Sequence, residues 1–333
     1  MNKKMIFYTF IPFEESRLNR AYNVRIYYLI KAFENLGYYV YLIDGFYEDR
    51  LSKIKEIWKL IEKGEKIEFV YAELPNLPFL LTSKYRLPLL INNYDIKFLK
   101  FLKKNKLRIG FFLRDLHHLT DALDNLGVIK KNLYIFFFNL SLILLINFID
   151  VFFVPTSIFK DFFCYIYKID IKKVFELSPG LFLDNNKIKY FYERKNKKMN
   201  DNILNLIYVG GMYNNLELFK CFEDFYYNNI KNIFLYFITR KEEFIKDNYY
   251  INISLRNDLI KIIEANNKDL EFYYDQVDIS LLFFKTFKMR IKINNHHDFG
   301  DYMYLAFPVK FMEYLGNLKP VITYKEAFVS KIV

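Results

Sequence analysis

Short apolar runs alternate with stretches of helical periodicity twice along this chain, and a charged, asparagine-rich stretch separates the two series. In the first series Met5–Phe10, Tyr39–Ile43, Phe69–Tyr71, Arg108–Leu113 and Val151–Val154 read as strands. Ala21–Leu36, between the first two, carries apolar residues at helical spacing and stops at Gly37. Strand, helix and strand in succession are the pattern of a doubly wound parallel sheet. A further strand at Lys173–Leu177 runs into the turn Ser178-Pro179-Gly180, after which Asp184–Asn202 lacks periodicity and reads as a linker. The second series comprises Leu204–Val209, Asn232–Ile238, Asn252–Leu255, Val277–Phe284 and Pro320–Thr323. The expected architecture is therefore α/β, with domains at residues 1–183 and 203–333 joined by residues 184–202. Such halves bind ligands beyond the carboxyl ends of their strands.

A length of 333 residues supports two cores, and 53% hydrophobic residues with 20% aromatic ones exclude extended disorder. The net charge of +11 suits an anionic partner, although abundant Lys, Asn, Ile, Phe and Tyr also suggest a composition set by an AT-rich genome. Neither zinc-ligand spacing nor an RNA-binding aromatic signature is present, so nucleic acid is not the expected partner. Cys164 and Cys221 lack metal-ligand or disulfide-framework spacing and read as small hydrophobes. Glu14 and Glu15 interrupt the N-terminal apolar run and no cleavage site follows, which points to a cytoplasmic protein.

Residues 132–149 carry no charge and reach the lower length of a membrane span, but Asn132, Asn139, Ser141 and Asn147 interrupt them, favouring a crossover helix. Lys97, Lys100, Lys103, Lys104 and Lys106 interleave with Phe98, Leu99, Phe101 and Leu102; this suits peripheral attachment to an anionic membrane surface, or a solvated face over a core helix.

Candidate functional residues collect at strand ends. Arg114, Asp115, His117 and His118 follow one strand; Asp115 would orient or deprotonate a substrate hydroxyl, and a histidine would touch the ligand or share the proton. The alternative is a local Arg114–Asp115 pair beside loop histidines. Glu73 follows another strand and would face the same cleft, and the loop Pro12–Arg20 offers Arg17, Asn19 and Arg20 to an anionic substrate. Gly210 and Gly211 could admit backbone N–H groups to a phosphate, or form a plain turn. Near the C-terminus, Pro308 at the first helical position and Gly316 as a left-handed stop delimit a helix of about two turns. Its start would favour an anion, with Lys310 adding a cation and Glu313 a carboxylate for ribose hydroxyls; an ordinary surface Lys310–Glu313 pair explains the same spacing.

Pro308-x-Lys310-x-x-Glu313-Tyr314-Leu315, followed by Lys319-Pro320-Val321-Ile322, resembles the nucleotide-sugar donor site of GT-B glycosyltransferases of the family 4-like group. The order of Val154-Pro155-Thr156-Ser157, Ser178-Pro179-Gly180, Tyr208-Val209-Gly210-Gly211 and Tyr274 to Ser280 extends the resemblance over most of the chain. It implies two Rossmann-like domains facing across a cleft, and transfer of a sugar from a nucleotide-diphosphate donor to a saccharide or lipid-linked acceptor in cell-surface polysaccharide or glycolipid synthesis. It also implies retention of configuration, and Arg240 as a second cation for the donor phosphates. With no Asp-x-Asp sequence, no metal or other cofactor is expected. Two departures stand out: Leu305 occupies the position of a second glutamate, and the chain stops at Val333, where the family continues, so the C-terminal part reads as incomplete. A noncatalytic nucleotide-sugar or glycan-binding protein and a nucleotide-sugar epimerase of the same fold are the alternatives.

Overall fold

The computed structural model describes residues 3–14, 21–74, 76–89, 93–180, 188–189, 203–211, 216–228, 230, 232–239, 258–264, 267–283, 287–290, 302–325 and 327–332. The chain divides into two compact units, Met1–Ser178 with Phe287–Ala306, and Pro179–Thr286 with Phe307–Val333.

The first unit is built on six parallel strands, β1 Lys3–Thr9, β2 Tyr38–Ile43, β3 Phe69–Leu74, β4 Arg108–Leu113, β5 Val151–Val154 and β6 Val174–Glu176, in the order β2-β1-β3-β4-β5-β6. Its helices are α1 Ala21–Asn35, α2 Tyr47–Glu62, α3 Tyr94–Lys104, α4 Val128–Ile146 and α5 Ser157–Tyr167. The strand order reverses between β1 and β3, so a crevice opens at their carboxyl ends. Because both faces of the inner strands are covered, their sequences run apolar without alternation, as in the buried stretch Met5–Thr9. Aromatic rings fill both layers: Tyr8, Phe10, Phe79, Phe98 and Phe111 on one side, and Phe7, Tyr71 and Phe112 on the other.

A buried ion pair ties this sheet to its helices. Arg50 of α2 and Asp95 of α3 are both 0% exposed. The guanidinium donates through Nε to Asp95 Oδ1 at 3.1 Å and through Nη2 to Asp95 Oδ2 at 2.8 Å and Thr82 Oγ1 at 2.9 Å. Its Nη1 donates to the carbonyls of Phe10 at 2.7 Å and Gly45 at 2.6 Å. With the Tyr8 hydroxyl also donating to Asp95, every guanidinium N–H is used and the charge needs no water. Gly45 makes this possible at φ +117°, where a Cβ would meet the Asp49 Cβ at 2.8 Å.

Among its described residues the second unit has five parallel strands, β7 Leu204–Val209, β8 Ile233–Thr239, β9 Ile260–Glu264, β10 Ile279–Leu282 and β11 Val321–Thr323, in the order β11-β10-β7-β8-β9. Helices α6 Leu216–Tyr227, α7 Asn267–Gln276 and α8 Val309–Gly316 accompany them. Here the order reverses between β7 and β10.

Several sequence expectations need correction. Among the described residues the third strand of this unit is Ile260–Glu264, which the sequence reading did not mark; the expected strand Asn252–Leu255 lies outside them. The unit boundary falls at Ser178, ahead of residue 183, and Phe287–Ala306 belongs to the first unit, not to a continuous domain 203–333. The reason is packing: Tyr302 and Leu305, at 3% and 0% exposure, are buried in the first unit's core. Of the expected linker 184–202, only residues 188–189 are described.

Candidate functional site

In the second unit α8 follows β10 in the chain and leads into β11. Pro308 is its N-cap and Val309 its first helical residue, so the proline stands one position before the expected one. No side chain caps this end, and the first N–H groups can meet an anion. The helix does not stop on a left-handed Gly316 either. Gly316 is the last helical residue, and Leu318 takes φ +56°. The amides of Leu318 and Lys319 donate to the carbonyls of Leu315 at 2.9 Å and Tyr314 at 3.0 Å, which closes a Schellman motif with leucine where glycine is usual.

Two side chains of α8 define its surroundings. The ladder between β7 and β10 ends at Ser280↔Ile207, and beyond it the hydroxyl of buried Tyr314 accepts from the Val209 amide at 3.1 Å and donates to the Leu281 carbonyl at 3.1 Å. The helix is thereby pinned where the strand order reverses. Glu313 accepts from the Lys310 ammonium at 2.6 Å through one oxygen and from the Tyr274 hydroxyl at 2.8 Å through the other. Burial, then the neighbouring carboxylate, raises the Tyr274 pKa well above the usual value and keeps the phenol a donor. Lys310 and Glu313 remain 30% and 28% exposed, and each carboxylate oxygen keeps a further lone pair for a ligand hydroxyl.

Gly210 plays a different part from the one expected. Its amide donates to the Ile238 carbonyl at 3.0 Å, so that N–H is not offered to a phosphate. A Cβ at this residue would overlap the Tyr208 hydroxyl, which itself donates to the Gly211 carbonyl at 3.3 Å. Gly210 therefore makes room for a neighbouring tyrosine. Arg240 lies outside the described residues, but Thr239 before it ends β8 with a buried hydroxyl that has no partner among the described residues. Sequence reading passed over this threonine, since a hydroxyl at a strand end carries no pattern.

In the first unit the loop after β4 gathers Arg114, Asp115 and His117. Arg114 Nε donates to Asp115 Oδ2 at 2.7 Å, Tyr302 donates to Asp115 Oδ1 at 3.2 Å, and His117 Nε2 is 3.8 Å from the same oxygen. The Tyr302 hydroxyl also accepts from the Leu116 amide at 2.9 Å, so the segment 302–306 fixes the loop's backbone. Burial alone would raise the Asp115 pKa, but Arg114 and His117 outweigh it and hold the carboxyl below its usual value. Sequence reading missed Tyr302 because its partner lies far away in the chain.

Two expected residues are placed otherwise. His118 is 1% exposed, stacks on Phe138 at 4.1 Å, and hydrogen-bonds Tyr167 at 2.7 Å; burial lowers its pKa to about 3. Because the Tyr167 hydroxyl donates to Asn139, His118 Nε2 is the donor and the ring is a neutral core residue, not an acid or base for substrate. Glu73 is likewise inside, accepting from Arg25 Nε at 3.1 Å and from Tyr71 at 2.7 Å, with Arg25 over the Phe112 ring at 4.1 Å. At 3% exposure it supports the β1/β3 crevice instead of facing an acceptor. Arg17, Asn19 and Arg20 lie outside the described residues.

No protein-family model matches the sequence, and no curated protein matches it. Solved structures do. The Anabaena protein Alr3699/HepE in complex with UDP-glucose aligns over 99% of this chain and 82% of its own, at 9% identity and a TM-score of 0.50. The catalytic domain of starch synthase IV from Arabidopsis thaliana, bound to ADP and acarbose, aligns over 99% and 84%, at 10% identity and a TM-score of 0.53. At such identities the likeness establishes the fold: α/β, of the GT-B type, with two Rossmann-like doubly wound units.

Proposed function

We propose that this GT-B protein is a glycosyltransferase that moves a sugar from a nucleoside-diphosphate sugar to a saccharide or lipid-linked acceptor. The observation that carries the reading is α8: an uncapped helix start with Lys310 and Glu313 half-exposed, pinned by Tyr314 where β7 and β10 part. That the two similar structures hold UDP-glucose and ADP supports a nucleoside diphosphate as the ligand of this edge.

Departure of the sugar builds charge on the diphosphate, and fixed cations or helix N–H groups lower that barrier. Lys310 and the first turn of α8 would meet this charge, with Arg240 as a second cation, and no metal is required. Glu313, oriented by Tyr274, would accept from the ribose hydroxyls. Asp115 serves the acceptor side as an orienting carboxylate; its lowered pKa makes it a weak base, so it aligns a hydroxyl better than it removes the proton. His117 would take the remaining polar contact. Retention of configuration and a place in cell-surface polysaccharide or glycolipid synthesis complete the reading.

Leu305 favours one alternative. Fully buried, it offers no carboxylate to a donor sugar, as a noncatalytic nucleotide-sugar binder would tolerate. The two readings separate when UDP-, GDP- and ADP-sugars are followed for release of free nucleoside diphosphate, with saccharide and lipid-linked acceptors and with chelator present. A transferase releases nucleoside diphosphate in an acceptor-dependent, chelator-insensitive way; tight binding without release across the panel favours the binder.

A further inference from the structure

Helix α4 has the length and composition to cross a membrane, yet its inner side belongs to the sheet. Phe137, Phe138, Leu142 and Leu145 are buried in the first unit's core, and the Ser141 hydroxyl accepts from the Leu80 amide at 3.4 Å. The helix is the crossover between β4 and β5 and cannot leave without breaking that connection. Its outer side is unusual for a crossover helix: Ile129, Leu133, Phe136 and Ile143 are 76%, 51%, 58% and 54% exposed. Their spacing sets them on one stripe, where an amphipathic helix on a protein core normally turns polar residues to water. Only 28% of the helix's most apolar window is buried.

The net charge around this stripe is positive. Lys130 and Lys131 are the sole charged residues of α4, Asp124 just ahead of the helix is balanced by Lys131 at 3.0 Å and by Arg290, and α3, which crosses on the same side of the sheet between β3 and β4, exposes Lys100 and Lys104. Lys103 of α3 is ion-paired with Asp150, just beyond the end of α4, so the two helices are neighbours. We propose that the outer face of α4 docks on an anionic lipid bilayer, the helix lying in the plane with its stripe at the headgroup boundary and Lys130, Lys100 and Lys104 on lipid phosphates. Charge decides for lipid over a second copy of the chain: Asp124 is already matched by Lys131 and Arg290, so pairing two such faces would bring the excess lysines Lys100, Lys104 and Lys130 together. The docking helix is also joined to the loop of Asp115: Tyr134 donates to the Asn76 carbonyl, Asn76 hydrogen-bonds Asp115, and His118 stacks on Phe138.

Co-sedimentation of the full chain with vesicles tests this without reference to sugar transfer. Phosphatidylcholine vesicles with and without phosphatidylglycerol are compared at low and high salt, for the wild type, Leu133→Ser/Phe136→Ser and Lys100→Glu/Lys104→Glu. The wild type should bind the anionic vesicles and lose binding with salt, and each double variant should bind roughly tenfold more weakly while unfolding at an unchanged temperature. The proposal is overturned if the wild type binds neither vesicle, if Leu133→Ser/Phe136→Ser binds like the wild type, or if sedimentation velocity shows a dimer that this variant dissociates.

Discussion

Arg50–Asp95 and Lys310–Glu313 are both ion pairs on helices of doubly wound units, and they differ in what is left over. The first is sealed, with both partners 0% exposed and every guanidinium N–H taken by protein. The second is 30% and 28% exposed, one turn from an uncapped helix start, with lone pairs to spare. A charged pair that is complete within the protein can only be structural, whereas one that is incomplete can exchange a protein partner for a ligand.

The largest effect should come from breaking the sealed pair. Arg50→Met leaves Asp95 buried without its counter-charge and should cost about 3–5 kcal/mol in urea unfolding. A loss below about 1 kcal/mol would mean that the site is wetter than its geometry allows.

His118 extends the comparison to a group sealed in its neutral form. Its folded-state pKa, near 3, lies below the ordinary imidazole value of about 6.5, so the unfolded chain takes up its proton first as pH falls. Stability from this residue is complete above about pH 6.5 and declines toward pH 3 by roughly 1.4 kcal/mol per pH unit. In His118→Phe, which can keep the stack on Phe138, that slope should vanish from unfolding curves; an unchanged slope would return His118 to the list of solvent-facing candidates.

A smaller gain is expected at the end of α8. Leu318→Gly removes the steric cost of a left-handed leucine and should stabilise the second unit by about 1 kcal/mol in thermal unfolding, unless the leucine side chain contributes more than its backbone costs. Smallest of all, Lys310→Ala should change stability by less than about 0.5 kcal/mol, as a half-exposed i,i+3 pair does. A larger loss would make the pair structural and remove it from the site.

Both sheets were legible in the sequence because buried parallel strands are nearly continuous apolar runs, and β4, β5 and β7 match their expected bounds. The pattern could not reveal that Phe287–Ala306 returns to the first unit, since Tyr302 and Leu305 look like any apolar helix neighbours until their partners are known. Polar residues at strand ends were harder still. Glu73, Asp115 and His118 all follow or end strands, and only burial and hydrogen bonding separate the core glutamate and histidine from the aspartate, which keeps 18% exposure. Glycine was misread at Gly210 and Gly316, where the structure uses one to clear a tyrosine and hands the left-handed turn to leucine.

Calorimetric titration of UDP, GDP and ADP into the wild type and Glu313→Ala puts the incomplete pair to the test most directly. The account expects at least one nucleoside diphosphate to bind the wild type and to bind Glu313→Ala about tenfold or more weakly, with the unfolding temperature unchanged. Equal affinity in the two proteins would contradict it.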